Sequence, residues 1–600
     1  MNLSDRKITI VIIFLTVGVI FLLRLFYIQV VDNSWKVQAA NASERVITEY
    51  PSRGLIYDRK GDIVVSNTAV YDLMVLPRDV SEMDTAAFCR LLGIDRQSFI
   101  EKLERAKKYS RYKPSAFEKQ IPADDYTAIA ENLHRFSGFY GQPRTLRYYP
   151  RAAGAHSLGY VSEVTPAILE ANPYYKRGDY IGASGVESIY EKPLRGKRGK
   201  RYVLVDVHNN ERGPFAGGRF DTLAEAGKNL TSSIDLDLQV YGEKLMKNKR
   251  GSIVAIEPAT GEILCMVTNP GYDPNLLVGR VRGKNYGELS RDTLKPLFNR
   301  AVMAKYPPGS TFKLIQGLIG LQEEVIDENT NFSCRGGYYF GGRVRPRCHA
   351  HANPVDLGYS IQTSCNAYYC NVFKRVLDKY PTSEEGYTKW REYISAFGLG
   401  ARLMTDLTGE VSGFVPQPEY YDRYYGRNRW NAHTIISLAI GQGELGVTPI
   451  QMANFCATIA NRGWYYAPHY IKKIDGAPIT DSTYTQKHFT GIDAKHFEKV
   501  TEGMYRVIES GTGRGVRFNS EIDICGKTGT AENPHGKDHS IFIAFAPKDN
   551  PKIALAVYVE NVGFGSTWAA PITSLMIEKY LTDTITRPHI EQRMVNANLF

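Results

Sequence analysis

Cysteine is scarce in this chain. Only eight are scattered through its 600 residues, without a regular framework, so disulfides are not what holds the fold together. Internal repeats and low-complexity segments are also missing, which removes repeat architectures. Acidic residues are outnumbered, 63 against 74 Lys and Arg, for a net charge of +11. That excess is spread over many segments and does not single out nucleic acid. Anionic glycans or a lipid surface suit it equally well. What is present is a globular composition, 43% hydrophobic and 23% charged, in a chain several times longer than an ordinary domain of ~100 to 200 residues. More than one domain, each with a sizeable core, is expected.

The one long hydrophobic run lies near the N-terminus. ITIVIIFLTVGVIFLL, Ile8 to Leu23, is uncharged and continues through Arg24 to Val31, enough for a bilayer that needs about 20 residues. A single transmembrane helix, 8–31, follows from this. Arg6 and Lys7 keep a short cytoplasmic tail, 1–7, on the inside, and Arg24 can snorkel toward the outer headgroups. The remainder is then exported. A cleaved signal peptide ending at Ala40-Asn41-Ala42 is the alternative, but the run exceeds the ~7 to 15 residues of a signal core.

Beyond the membrane helix, residues 45–80 read as short β-segments punctuated at Pro51, Gly54 and Asp58 to Gly61. Residues 80–135 carry apolar positions at helical spacing with abundant charge between them. The basic stretch EKPLRGKRGKRYVLV, from Glu191, reads as a solvated hairpin. From about residue 231 the pattern becomes a large α+β domain. SIVAIEP and LCMVTNP form a hairpin over 252–268, SIFIAFAP and KIALAVYVEN are β-runs at 540–547 and 552–561, and a helix spans about 570–581. Strands from both ends of the domain would share an antiparallel sheet flanked by helices.

Three short motifs carry chemistry. In YPPGSTFK, two prolines and a glycine precede Ser310, which places it at a helix start with Lys313 on the same face. Serine attacks poorly unless a base takes its proton, and lysine serves only when burial or a second cation lowers a pKa that is ordinarily ~10.4. SIQTSCNAYYC offers Ser364 for proton relay and Asn366 to hold an amide. GKTGTAEN offers Lys527 as the second cation, Thr528 and Thr530 as carboxylate-binding hydroxyls, and Gly529 for close approach of a ligand to the backbone.

Ser-x-x-Lys, Ser-x-Asn and Lys-Thr-Gly in this order resemble penicillin-binding proteins and serine β-lactamases. PSRGLIYDRKG, RLFYIQVVD, YIGASGVESIYEKPLRGKRG, SIDLDLQ and IGQGELGVTPIQMANF extend the resemblance from about residue 23 to 563 and make it one to class B penicillin-binding proteins. YPPGST and IGASGVE resemble the elongation branch, penicillin-binding protein 2, and a division-type enzyme is the alternative. The resemblance implies a β-rich, dimerisation-type pedestal at 32–230 with a helical subdomain at about 80–140. A transpeptidase domain at 231–590 and a tail at 591–600 follow. It implies D,D-transpeptidation of peptidoglycan stem peptides through an acyl-enzyme on Ser310, with Lys313 as base. Ser364, Asn366 and Lys527 assist, and the backbone N–H groups of Ser310 and Thr530 form the oxyanion hole.

It also implies β-lactam sensitivity, an inner-membrane anchor with the catalytic domain periplasmic, and a RodA-type glycosyltransferase of the elongation complex as partner. Nucleic acid is not an expected partner, and no cofactor is required. A β-lactamase or sensor has no use for the long region before the catalytic domain. A bifunctional enzyme would need a glycosyltransferase domain there, and an inactive scaffold would not keep all three motifs.

One segment departs from the family pattern. Cys334-x13-Cys348-His349-x-His351 has the donors for a structural zinc through Cys334, Cys348 and His351, with His349 as the alternative imidazole. A Cys334 to Cys348 disulfide, or two unpaired thiols, are the other readings.

Overall fold

The computed structural model describes residues 3–28, 44–205 and 211–600. Residues 29–31 of the expected membrane span and the Ala40-Asn41-Ala42 site lie outside them. The chain packs into two units whose segments interleave: residues 1–53, 69–144 and 195–227 form one, and 54–68, 145–194 and 228–600 form the other.

In the first unit a helix runs from Leu3 to Phe26. Its Lys7–Phe26 stretch has a mean hydropathy of 2.8 and buries none of its residues, and at 1.5 Å per residue it is long enough to cross a membrane. A three-stranded antiparallel sheet joins Glu44–Glu49, Gly199–Val205 and Glu211–Pro214, so the basic stretch does enter a hairpin. Helices Thr85–Leu92, Arg96–Tyr109 and Ala123–Asn132 follow the expected helical pattern, the first two N-capped by Asp84 and Asp95. Between them Ser115–Pro122 is a strand instead. Phe117 and Ile121 are its buried residues, and their spacing of four imitates a helix while Pro114 and Pro122 bracket an extended segment. Phe88 anchors the core there, with ring centroids 4.7 Å from Phe136 and 4.4 Å from Phe139.

The second unit is built on a five-stranded antiparallel sheet. Its strands are β1 (Gly251–Ile256), β2 (Ile263–Asn269), β5 (Cys525–Ala531), β6 (His539–Ala546) and β7 (Ile553–Val559); β3 (Gly337–Phe340) and β4 (Arg343–Arg347) form a separate hairpin. The sheet order is β2-β1-β7-β6-β5, so strands from both ends of the unit share it, as the sequence predicts. Every residue of β1 and β7 is buried, because helices cover both faces. The helices that matter below are α1 (Lys313–Gln322), α2 (Leu357–Thr363), α3 (Asn366–Asp378), α4 (Pro449–Ala460), α5 (Ala494–Glu509) and α6 (Ala569–Thr582). All twelve residues of α4 are buried, the signature of an interior helix, and α4 packs on β7 while α6 packs on β6 and β7. Residues 591–600 include the end of a helix, Pro588–Asn596, whose Met594 is buried.

Segments from before residue 230 are integral to this unit. Arg147 donates to the Glu187 carboxylate at 2.7 Å and to the Gly54 carbonyl at 2.7 Å, both buried, and to Oδ1 of the half-buried Asn67 at 2.9 Å. The Tyr190 hydroxyl donates to Asp406, which also accepts the Ile471 N–H at 2.9 Å.

Candidate active site

Ser310 sits in a 3-10 turn, Gly309–Phe312, and the α-helix begins only at Lys313. This corrects the expectation that Ser310 opens the helix itself. The physical reason is Pro307 and Pro308, which cannot donate backbone hydrogen bonds and leave the tighter turn as the entry. Side chains three apart eclipse in such a turn, so Ser310 and Lys313 still share a side.

Lys313 is fully buried, and its Nζ donates to the Ser364 carbonyl at 2.7 Å, to Ser364 Oγ at 3.1 Å and to Asn366 Oδ1. Among the described residues no hydrogen bond joins it to Ser310. Burial pushes its amine down to about 8, against the opposing pull of Cys348, Cys365 and Cys370. Lys527, on β5, donates to the same Ser364 Oγ at 2.9 Å. Burial pushes Lys527 well below the ordinary lysine range, and the charge of Lys313 adds to the effect. Burial is therefore the chief cause at both lysines, and their mutual repulsion falls on Lys527.

Ser364 reaches both amines because the backbone kinks there. It ends α2 in the left-handed region, φ 60° and ψ 44°, where a serine is strained by about 1–3 kcal/mol. Cys365 then caps α3, and Asn366 is its first residue. Thr528, Gly529 and Thr530 lie on β5 at the edge of the sheet, with Thr528 Oγ1 2.7 Å from Thr512 Oγ1.

Motif one is pressed onto this strand. Gly309 has φ +57°, and a Cβ there would stand 2.6 Å from the Thr530 carbonyl oxygen. The Gly309 N–H donates to the Gly441 carbonyl at 2.8 Å, and Gln442 Nε2 donates to the Thr530 carbonyl at 3.1 Å. The IGQG segment thus clamps the nucleophile's turn against β5. Sequence reasoning quoted that segment without giving it this role, and it also missed Thr512.

The Cys/His segment folds back beside motif two. Cys334, Cys348, His351 and Cys365 present donor atoms within 4.8 Å of one another. Cys365, inside the Ser-Cys-Asn motif, is a member that the sequence spacing did not suggest. His349 lies apart, its ring 6.2 Å from that of Phe564. All eight cysteines are free thiols, Cys334 and Cys348 included. Cys348 Sγ lies 3.9 Å from Cys365 Sγ and accepts the N–H groups of Asn366 at 3.1 Å and Ala367 at 3.4 Å. A hydrogen bond from Cys365, with help from the Ala367 N–H, favours its thiolate against the opposing effect of burial and lowers it to about 4, while Cys365 is pushed up. His351 Nδ1 bonds the Ala352 carbonyl, which leaves a buried Nε2 with no hydrogen-bond partner among the described residues. A thiolate, two further sulfurs and an orphaned imidazole nitrogen are donors that fit zinc.

Residues 251–578 match the penicillin binding protein transpeptidase domain, and 48–231 match the penicillin-binding protein dimerisation domain. The chain belongs to the penicillin-binding protein transpeptidase family. Its relatives narrow this further. It is 33% identical to the peptidoglycan D,D-transpeptidase MrdA of Acinetobacter baumannii, over 86% of this chain and 79% of that protein. Among solved structures it is similar to penicillin-binding protein 2 of Helicobacter pylori in complex with MreC, with a TM-score of 0.73 and 25% identity over 90% of this chain and 98% of that one. It is likewise similar to a chain of a peptidoglycan synthase complex that coordinates polymerization and crosslinking, with a TM-score of 0.71 and 26% identity over 97% and 99% of the two chains. With such relatives, the apolar N-terminal helix makes this a membrane-anchored protein.

Proposed function

We infer that this chain is the peptidoglycan D,D-transpeptidase of cell-wall elongation, working through a serine acyl-enzyme that β-lactams trap. The observation that carries the reading is the Ser364 hydroxyl shared by two buried lysines, beside a serine turn clamped onto an edge strand. A stem peptide can extend the sheet along β5, with its terminal carboxylate at Thr528 and Thr530. Ser310 Oγ attacks the penultimate D-Ala carbonyl and passes its proton to Lys313 in the neutral form that burial favours. The N–H groups of Ser310 and Thr530 stabilise the oxyanion. Asn366 orients the peptide, and the proton returns through Ser364 to the departing D-Ala amine. An amine of a neighbouring stem then displaces Ser310, so one peptide bond replaces another without ATP. Labelling of membranes with fluorescent penicillin tests this: the covalent band of the full chain disappears in Ser310→Ala, and a persisting band removes Ser310 as nucleophile.

For the topology we propose a cytoplasmic N-terminus and a periplasmic catalytic unit, from Arg6 and Lys7 before the span. The partner would be a RodA-type glycosyltransferase, which would supply the strands that this chain crosslinks. Similarity to a synthase complex chain supports this. An unrelated membrane helix in place of 8–31 tests the partner, with loss of co-purification expected and unchanged association counting against it.

Acyl transfer at Ser310 needs no metal. A structural zinc would be held by Cys334, Cys348, His351 and Cys365 and would tie the segment before motif two to the start of α3. Metal analysis of the purified protein is expected to give about one zinc per chain, reduced in Cys334→Ser. A content near zero without chelator treatment discards the site.

A further inference from the structure

Of the eight thiols only Cys334 and Cys348 are half-buried, and the other six are buried. Reaction of a thiol with a solute is therefore confined to the cluster beside motif two. There Cys348 Sγ lies 3.9 Å from the Sγ of Cys365, which is itself closed off from water. One sulfur can be reached from outside, and the second waits behind it.

This pair is joined to the catalytic groups on both sides. Cys365 stands between Ser364, whose Oγ accepts from Lys313 at 3.1 Å and from Lys527 at 2.9 Å, and Asn366, whose Oδ1 accepts from Lys313. Its sulfur also accepts the Tyr368 N–H at 3.5 Å and so fixes the start of α3. Cys348 follows Arg347, whose carbonyl accepts from Asn366 Nδ2, and its own sulfur accepts the Asn366 N–H. The far end of the β3/β4 hairpin is pinned as well, by Phe340 stacked on His433 with centroids 3.6 Å apart. A bond between the two sulfurs must bring them about 2 Å closer. With the hairpin held at its tip, that movement falls in part on Cys365, and the hydrogen bonds of Ser364 and Asn366 on either side of it are too short-ranged to follow.

We propose that Cys348 and Cys365 form a redox switch, whose oxidation to a disulfide turns the active site off by displacing motif two. The oxidant is itself a disulfide, of a small thiol or of a dithiol protein. The Cys348 thiolate attacks one sulfur of the oxidant, expels a thiolate and is left in a mixed disulfide. Cys365 then gives up its proton and attacks the Cys348 sulfur, expelling the second thiolate. One S–S bond forms in the chain as one breaks in the oxidant. Two electrons pass to the oxidant, and the two protons end on its released thiols. Zinc at the cluster would occupy the same two sulfurs, so metal and disulfide exclude one another. The effect on acylation rests on the transpeptidase reading above, whereas formation of the bond does not.

The test uses full-length protein in detergent, treated with chelator and then with oxidised glutathione. Alkylation of the remaining thiols and peptide mass mapping locate the bond, and fluorescent penicillin measures acylation. Two thiols are lost to a single Cys348–Cys365 cross-link, acylation falls about tenfold or more, and dithiothreitol reverses both. In Cys348→Ala and in Cys365→Ser the oxidised and reduced forms of the same variant acylate at equal rates, while Cys334→Ser keeps the switch. A cross-link from Cys348 to Cys334, or a glutathione adduct that never resolves, overturns the proposal. So does a Cys348–Cys365 cross-link that leaves acylation unchanged. Absence of penicillin acylation in the reduced wild type marks failure of the transpeptidase reading instead, and the peptide map then still decides whether the bond forms.

Discussion

Replacing Gly309 by alanine tests whether the nucleophile is placed by backbone contact with β5. The new Cβ would stand 2.6 Å from the Thr530 carbonyl oxygen and 3.0 Å from its carbon. Real Cβ contacts stay above 3.0 Å, so the turn and the strand must part by at least about 0.4 Å. The left-handed backbone adds ~1–2 kcal/mol for any residue with a Cβ. Neither side yields easily, because the Thr530 carbonyl also accepts from Gln442 and the Gly309 N–H is held by Gly441. A shift of that size at the attacking atom should lower acylation by roughly 10- to 100-fold, since reacting groups misplaced by about 1 Å lose ~100-fold. The lysine pair around Ser364 does not touch Gly309 and stays in place. Stopped-flow acylation by fluorescent penicillin measures the loss, with thermal unfolding followed in parallel to show that the variant is folded at the assay temperature. A Gly309→Ala protein that acylates within about twofold of wild type refutes the clamp.

Acylation should also rise with pH. Lys313 accepts a proton only as the neutral amine, and burial brings it to about 8, so the rate climbs about tenfold per unit below pH 7 and levels off above the pKa; a flat profile over this range removes Lys313 as the base. Arg147→Ala takes away the guanidinium that faces the buried Glu187 at 2.7 Å and should destabilise the second unit by ~3–5 kcal/mol, read by chemical unfolding. A loss under about 1 kcal/mol means the carboxylate finds other company. Thr512→Val removes the hydroxyl 2.7 Å from Thr528 Oγ1 and should raise the KM for D-Ala-D-Ala peptide by about fivefold at constant kcat, as expected for one hydrogen bond that orients a binding group. An unchanged KM would show that Thr528 needs no support.

The five-stranded sheet could be read from the chain because its strands are long, apolar and bounded by turns, as at 252–268 and 552–561. The three motifs were legible for a related reason: each is a few contiguous residues whose chemistry survives without knowledge of the fold. Strand Ser115–Pro122 was hidden because Phe117 and Ile121 happen to sit at helical spacing. The entry of Ser310 through a 3-10 turn turns on one residue of register, finer than a proline pair can specify. Cys365 could not be recognised beside Cys334 and Cys348, because only the fold-back of the β3/β4 hairpin onto α3 brings the sulfurs together. The clamp is likewise long-range, with Gly441 more than a hundred residues from Gly309 in motif one and Gln442 88 residues from Thr530 on β5, and it has no local signature.

The interleaving of the second unit has a consequence in time. Ile56–Tyr57 pairs with Leu230–Ser232, which in turn pairs with Ile471–Ile474, and the Tyr190 hydroxyl finds its acceptor at Asp406. A ribosome adds about 5–20 residues per second, so the roughly 200 residues between Tyr190 and Asp406 take ~10–40 s to make. During that interval Val186 and Leu194, both fully buried in the finished protein, have nothing to pack against from the later half of the unit. The catalytic unit therefore cannot close as it emerges. It must wait for the strand at Ile471–Ile474, long after the nucleophile has left the ribosome, and a chain cut short before that strand carries Ser310 without a cleft around it.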